Sequence, residues 1–248
     1  MNALLRRTHR RASTRVVMFS VLTACTAIPL LSQCSPSIPQ DKTIKIMPLG
    51  DSITESSEGH ASYRYYLWQH LMESGHRVDF VGSQHGVSGR KLRHDDFDQD
   101  HEGHSGWRAD EILVNLKGWA TSTQPDIVLI HLGHNDLWQG ESVTSTVEDL
   151  SAIIDTLRQV NPKVKILLAQ IIPSTLPKFN TITTLNQEIA KLASTKTMIQ
   201  SPVALVDQFT GFNPSSETWD GVHPNDSGEV RMADKWNVVL EPVLDTVF

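Results

Sequence analysis

Short apolar runs that end in turn residues alternate with helical patterns from residue 43 to residue 244, and this alternation limits the fold more than any other feature. Thr43 to Leu49 is a β-prone run that ends in Gly50. Tyr63 to Glu73 has helical character and stops at Gly75, and Val78 to Gly82 makes a second short strand. Residues 83–106 are rich in Gly, His and Asp and read as a long loop. Asp110 to Trp119 is a helix with Ile112, Leu113 and Leu116 on one face. Asp126 to Leu132 is almost continuously apolar, as expected of a strand buried on both faces. In the next helix Val143, Val147, Leu150, Ile154 and Leu157 are spaced 4-3-4-3, which lines one face, and Pro162 follows its end. Val164 to Ile172 is the fourth strand, and Leu185 to Leu192 belongs to the fourth helix. Val203 to Val206 is the fifth strand, and a last helix runs from about Asn225 to Leu244.

Five strands alternating with helices predict an α/β fold with a parallel sheet covered on both sides. Such sheets place their sites beyond the carboxyl ends of the strands. The chemically suggestive residues fall there. Gly50-Asp51-Ser52 follows the first strand, Gly133-His134-Asn135-Asp136 the third, and Asp220-Gly221-Val222-His223 the fifth. Residues 43–248 show no internal repeat and no second-domain boundary.

The N-terminus reads differently. Arg6, Arg7, Arg10, Arg11 and Arg15 precede a mostly apolar run from Val16 to Leu31, the pattern of an export signal. Leu22-Thr23-Ala24-Cys25 also resembles a bacterial lipobox; Leu31-Ser32-Gln33-Cys34 fits less well because Gln33 is bulky. Residues 1–34 are therefore expected to be a leader, either a secretory signal, an uncleaved anchor or a lipoprotein signal. Residues 35–42 would be a linker. The product would be secreted, periplasmic or lipid-anchored at the cell surface. Beyond the leader 17 Lys and Arg face all 28 Asp and Glu, a net charge of −11. A surface this acidic argues against a nucleic-acid partner. Membrane attachment would come through the N-terminal lipid alone. Cys25 and Cys34 both lie in or beside the leader, so the domain has no disulfide, thiolate nucleophile or cysteine metal site.

A serine hydroxyl needs a base to become a nucleophile, usually a histidine oriented by a carboxylate. Ser52 sits where a strand turns, with Gly50 permitting a tight bend. Asp220 and His223 are three residues apart before Pro224, within reach of each other in a turn. Acyl transfer also needs donors for the developing oxyanion. The Ser52 backbone N–H, the Asn135 amide and the Gly106 backbone N–H are the candidates.

Gly50-Asp51-Ser52-Ile53-Thr54, Gly106, Gly133-His134-Asn135-Asp136 and Asp220-Gly221-Val222-His223 together resemble the four motif blocks of the SGNH (GDSL-like) hydrolase superfamily. A narrower likeness is to carbohydrate esterase family three. It rests on Met47 to Thr54, Ser62-Tyr63-Arg64, Asp79 to Ser83, His101 to Trp107, and Trp219 to Pro224. That family consists of acetyl esterases acting on acetylated xylan and related sugars. The resemblance implies a three-layer α/β/α, flavodoxin-like fold with a five-stranded parallel sheet and no cofactor. It implies Ser52 as nucleophile, His223 as base, Asp220 as its orienter, and Ser52, Gly106 and Asn135 as the oxyanion hole. His134 departs from the glycine frequent at this position in close relatives, so it would narrow or polarise the pocket.

Other readings compete. Asp96, Asp98 and Asp100 alternate like a calcium loop, but His101 and Trp107 stand where glycine and glutamate belong. A solvated acidic loop over residues 94–102 is the expectation, with no metal. Trp68, Trp138 and Trp236 are expected in the core or at the rim, and Trp107 as a wall of the cleft or, alternatively, as a purely structural residue. Arg64 and Asp51 are expected to be local scaffolding. The same constellation also serves lysophospholipases and thioesterases, a lipid-acyl alternative. A catalytically silent carbohydrate-binding protein is a third reading, against which the intact Ser52, Asp220 and His223 speak.

Overall fold

The structure, a computed structural model, describes residues 43–89 and 93–247; the expected leader and linker lie outside them. In chain order β1 (Ile44–Gly50) is followed by a single turn α1 (Ser52–Glu55), α2 (Tyr63–Ser74), β2 (Val78–Phe80), β3 (Gln84–His85) and β4 (Asp100–Gly103). Next come α3 (Ala109–Thr123), β5 (Ile127–His131), the short α4 (His134–Gln139), α5 (Val143–Val160) and β6 (Lys165–Gln170). The rest is α6 (Ile182–Lys196), β7 (Val203–Asp207), the short α7 (Pro214–Glu217) and α8 (Asp226–Leu244).

Five parallel strands in the order β2-β1-β5-β6-β7 form the body of the sheet. Their side chains alternate between two faces, and each face has its own core. Met47, Leu49, Val128, Ile130, Ile166 and Leu168 belong to one core, shared with apolar residues of α3, α5 and α6. Ile46, Ile127, Leu129, Leu167 and Ala169 belong to the other, with α2 and α8. Each such side chain contributes about 1.5–3 kcal/mol by leaving water. All five residues of β5 are buried, which accounts for its unbroken apolar run. The architecture is the expected α/β/α three-layer, flavodoxin-like fold.

The strand count differs from the expectation of five. β4 pairs in parallel with the end of β1, at Leu49 and Gly50, and β3 pairs antiparallel with β4. The sheet therefore has seven strands among the described residues. Both added strands lie in the stretch read as a loop. They are short and polar, so they carry no apolar alternation. Their pairing depends on side-chain satisfaction that forms only in the fold. Buried Glu102 accepts from the Ser83 N–H at 2.8 Å, Ser83 Oγ at 2.6 Å and His104 Nε2 at 2.7 Å.

Arg64 joins this polar annex to the rest. It is fully buried, yet its guanidinium meets carbonyls rather than carboxylates. It donates to Thr54 O at 2.8 Å, Gln99 O at 2.9 Å, Glu55 O at 3.1 Å and Gly86 O at 2.5 Å. Burial lowers its pKa to about 10, which leaves it charged at neutral pH. The scaffolding role expected for Arg64 is the one it has. Replacing it strands these buried acceptors, so Arg64→Ala should lower stability by about 3 kcal/mol or more. Equilibrium urea denaturation measures this, and a loss below about 1 kcal/mol would contradict the hub.

Candidate active site

Ser52, Asn135 and His223 reach one place because the chain reverses its direction of winding between β1 and β5. β2 and the short β4 lie on one side of β1 and β5, β6 and β7 on the other, which opens a crevice beyond the strand ends. Gly50 pairs with His131 there. A Cβ on Gly50 would lie 2.1 Å from Thr54 Oγ1 and 2.9 Å from His131 O, so no larger residue fits. Asp51 caps the next turn by accepting from the Ile53 N–H at 2.9 Å. Ser52 opens that turn, and its own N–H has no acceptor within the helix.

His223 arrives from the far end of the sheet on a loop tied at several points. The Trp219 N–H donates to His223 O at 3.0 Å. Gly221 O accepts from the Thr175 N–H at 3.0 Å and from Ser174 Oγ at 2.6 Å. Asn225 then caps α8 through the Ser227 and Gly228 N–H groups.

Asp220 Oδ2 lies 2.7 Å from His223 Nδ1, and His223 Nε2 lies 2.9 Å from Ser52 Oγ. Asp220 Oδ1 also accepts from the Val222 and His223 N–H groups at 2.9 and 2.7 Å. Burial would raise the Asp220 carboxyl, but these hydrogen bonds outweigh it and hold the pKa below its ordinary value. An ionised carboxylate only accepts, so His223 Nδ1 carries the proton and Nε2 presents its lone pair to the serine hydroxyl. This is the protonation pattern a general base requires.

Two cavities meet at Ser52, Ile53 and His223. One, of about 410 Å³, has Gly106 and Asn135 in its lining beside the apolar side chains of Trp138, Leu176, Phe179 and Val222. Gly106 takes φ +83°, a left-handed backbone that glycine adopts without strain. Its carbonyl accepts from Gln139 Nε2 at 2.9 Å. Asn135 Nδ2 donates to Trp107 O at 3.0 Å, which engages one of its two amide hydrogens. The other cavity, of about 200 Å³, is lined by serines, His60, Trp219 and Glu229.

The sequence model of the GDSL-like Lipase/Acylhydrolase family matches residues 49–231. The chain belongs to this family. Among solved structures it is similar to a carbohydrate esterase family 3 protein from Talaromyces cellulolyticus. The identity is 34% and the TM-score 0.76, covering 83% of this chain and 100% of that one. A family 3 carbohydrate esterase of Clostridium thermocellum is 34% identical with a TM-score of 0.72, covering 83% of this chain and 99% of that one. A multidomain esterase of Ruminococcus flavefaciens is 28% identical over 273 aligned positions, 97% of this chain. The chain spans 33% of that relative's length.

Within this GDSL-like hydrolase domain all five residues singled out from sequence, Ser52, Gly106, Asn135, Asp220 and His223, line the first cavity. His134 also lines it. Its Nε2 lies 2.9 Å from Ile172 O and must carry the proton, since a carbonyl only accepts. Burial lowers its pKa to about 4, so it adds a neutral ring rather than a charge. Of its two expected roles Trp107 takes the structural one, not the cleft wall. It stacks on His104 at 4.7 Å and packs against the core, while Trp138 and Trp219 line the cavities. The acidic loop holds backbone: Asp98 accepts from the Phe80 N–H at 2.8 Å and the Asp100 N–H at 3.2 Å. Glu229 and His60 carried no sequence signal, because each is an isolated residue outside the motif blocks.

Asp136 positions α4 against α3 by accepting from the Ala109 N–H at 3.2 and 3.3 Å. Burial raises its carboxyl to about 7, and the Ala109 hydrogen bond lowers it only partly. The folded state therefore holds this proton at pH values where the unfolded chain has lost it. Its contribution is full below the unfolded pKa near 3.8 and is lost as pH rises towards about 7. Asp136→Asn keeps an acceptor and does not titrate. Its stability relative to the parent should rise by about 2 kcal/mol between pH 5 and pH 8. Parallel pH curves from urea denaturation would refute this; the other buried groups cancel in the difference.

Proposed function

We propose that the domain is a serine esterase that removes O-acetyl groups from carbohydrate through an acyl-enzyme. The carrying observation is the Ser52–His223–Asp220 chain, with contacts of 2.9 and 2.7 Å, opening onto a cleft that Gly106 and Asn135 line. Likeness at 34% identity to family 3 carbohydrate esterases supports the sugar substrate. The basic and apolar leader supports export to an extracellular, periplasmic or surface location.

Ser52 Oγ attacks the acetyl carbonyl carbon while its proton passes to His223 Nε2. The carbonyl oxygen becomes an oxyanion and takes hydrogen bonds from the Ser52 and Gly106 N–H groups and the Asn135 amide. His223 then gives the proton to the departing sugar oxygen, the C–O bond breaks, and acetyl-Ser52 remains. Water repeats the sequence: His223 takes its proton, the hydroxide oxygen bonds to the acyl carbon, and acetate leaves as Ser52 recovers its hydrogen. Asp220 stabilises the imidazolium in both halves.

Ser52→Ala should lower kcat/KM on an aryl acetate at least about a thousandfold. Wild-type activity in that variant would end the proposal. Asn135→Ala should cost about a hundredfold in kcat, the effect of one lost oxyanion donor. The width of the apolar cavity favours a second reading, a longer acyl group held against Trp138, Leu176 and Phe179. Rates on acetate, butyrate and octanoate esters separate the two. A steep fall from acetate to butyrate supports the acetyl reading, and a preference for octanoate sinks it.

A further inference from the structure

Apart from Ser52 and His223, the lining of the serine-rich cavity has no part in the steps just described, and its chemistry differs from that of its neighbour. Ser56, Ser57 and Ser88 are among its lining residues. That lining is built rather than loose: Ser57 and Ser88 pair as a parallel bridge, and the Ser88 N–H donates to Ser56 O at 3.1 Å. Ser105 also lines it, with its hydroxyl engaged with Glu55 at 2.5 Å. An aromatic stack stands among these polar groups. Trp219 stacks with His60, at 5.3 Å and 25°, and with His223, at 5.2 Å and 16°. Trp219 is 51% exposed, unusual for so large an apolar side chain.

Glu229, on α8, supplies the most telling group. It is 3% exposed and also lines the cavity. The Ser62 and Ala61 N–H groups bond its carboxyl, while Oε2 is buried with no hydrogen-bond partner. A buried oxygen left unpaired costs about 1–3 kcal/mol, so it calls for a donor from outside the protein.

We infer that this cavity is the subsite for the sugar ring that bears the ester, with Trp219 and His60 against the ring and Glu229 taking one of its hydroxyls. The inference rests on the esterase reading. The oxyanion donors line the other, apolar cavity, so the carbonyl oxygen and acyl group belong there. The alcohol half then falls on this side of Ser52, and His223, which lines both cavities, can protonate its oxygen. A ring with an apolar face and several hydroxyls on its edge matches one aromatic wall among many hydrogen-bonding groups. A space of about 200 Å³ suits one ring and leaves the rest of a chain outside.

The test compares acetylated xylotriose with ethyl acetate, whose alcohol half is too small to reach Trp219. His60→Ala and Trp219→Phe should each lower kcat/KM on the sugar ester about tenfold more than on ethyl acetate. Equal losses on the two esters would overturn the subsite. Binding is read separately in the Ser52→Ala protein, where the ester persists. Calorimetry should show acetylated xylotriose bound, and adding His60→Ala should weaken it about tenfold. Unchanged affinity would also overturn the inference. If the intact protein hydrolyses neither ester and Ser52→Ala binds no acetylated xylotriose, both readings fall. If ethyl acetate is hydrolysed but sugar esters gain nothing over it, the subsite alone falls.

Discussion

The parallel pairing of β1 with β5 is the contact on which the rest of this structure depends. It aligns Gly50 with His131, and so sets the turn carrying Ser52 beside the turn carrying Asn135. The same two strands are the middle of both hydrophobic cores. Packing energy spread over dozens of apolar side chains thus holds the registry of a few polar ones. The close approach at Gly50 sharpens this. Any side chain there would strike Thr54 and the His131 carbonyl, and the Ser52 turn would have to move away from the crevice.

The polar groups around that crevice are sorted by burial. Asp51 and Asp136 are buried, and desolvation raises their carboxyls to about 6 and about 7. Arg64 is buried too, but four carbonyls satisfy its guanidinium. Asp220 is exposed, and three hydrogen bonds from its own loop keep it ionised. That difference decides the chemistry. The carboxylate that faces His223 is the one held in its charged form, so the imidazole carries its proton on the side away from Ser52. The two cavities then divide the proposed reaction, with an apolar side for the acyl group and a serine-rich side for the alcohol.

Much of the fold is legible in residues 43–248. The 4-3-4-3 stripe of α5, the unbroken apolar run of β5 and the glycine stop after α2 are local signals, and each element lies within a few residues of its expected place. Strands β3 and β4 escape such reading. Gln84-His85 and Asp100 to Gly103 have no periodicity, and they become strands because β1 offers a free edge near Leu49 and Gly50. Trp107 misleads for a related reason. Its place beside Gly106 suggests the cleft, yet its ring packs against His104, from the same loop, and Trp119, from α3.

The sequence by itself determined the parallel α/β architecture and the strand ends, and it singled out Ser52, Gly106, Asn135, Asp220 and His223 as candidates. These follow from periodicity, turn residues and motif order, all of which are properties of short stretches of chain. Tertiary structure alone decided the two added strands β3 and β4, the tautomer of His223, the neutral ring of His134 and the second cavity. Glu229, His60 and Ser88 come from α8 and from two separate loops, so nothing in their spacing marks them as neighbours. Their convergence depends on how α8 and the annex of β3 and β4 pack beside Ser52, which is a long-range outcome of burial and hydrogen-bond satisfaction.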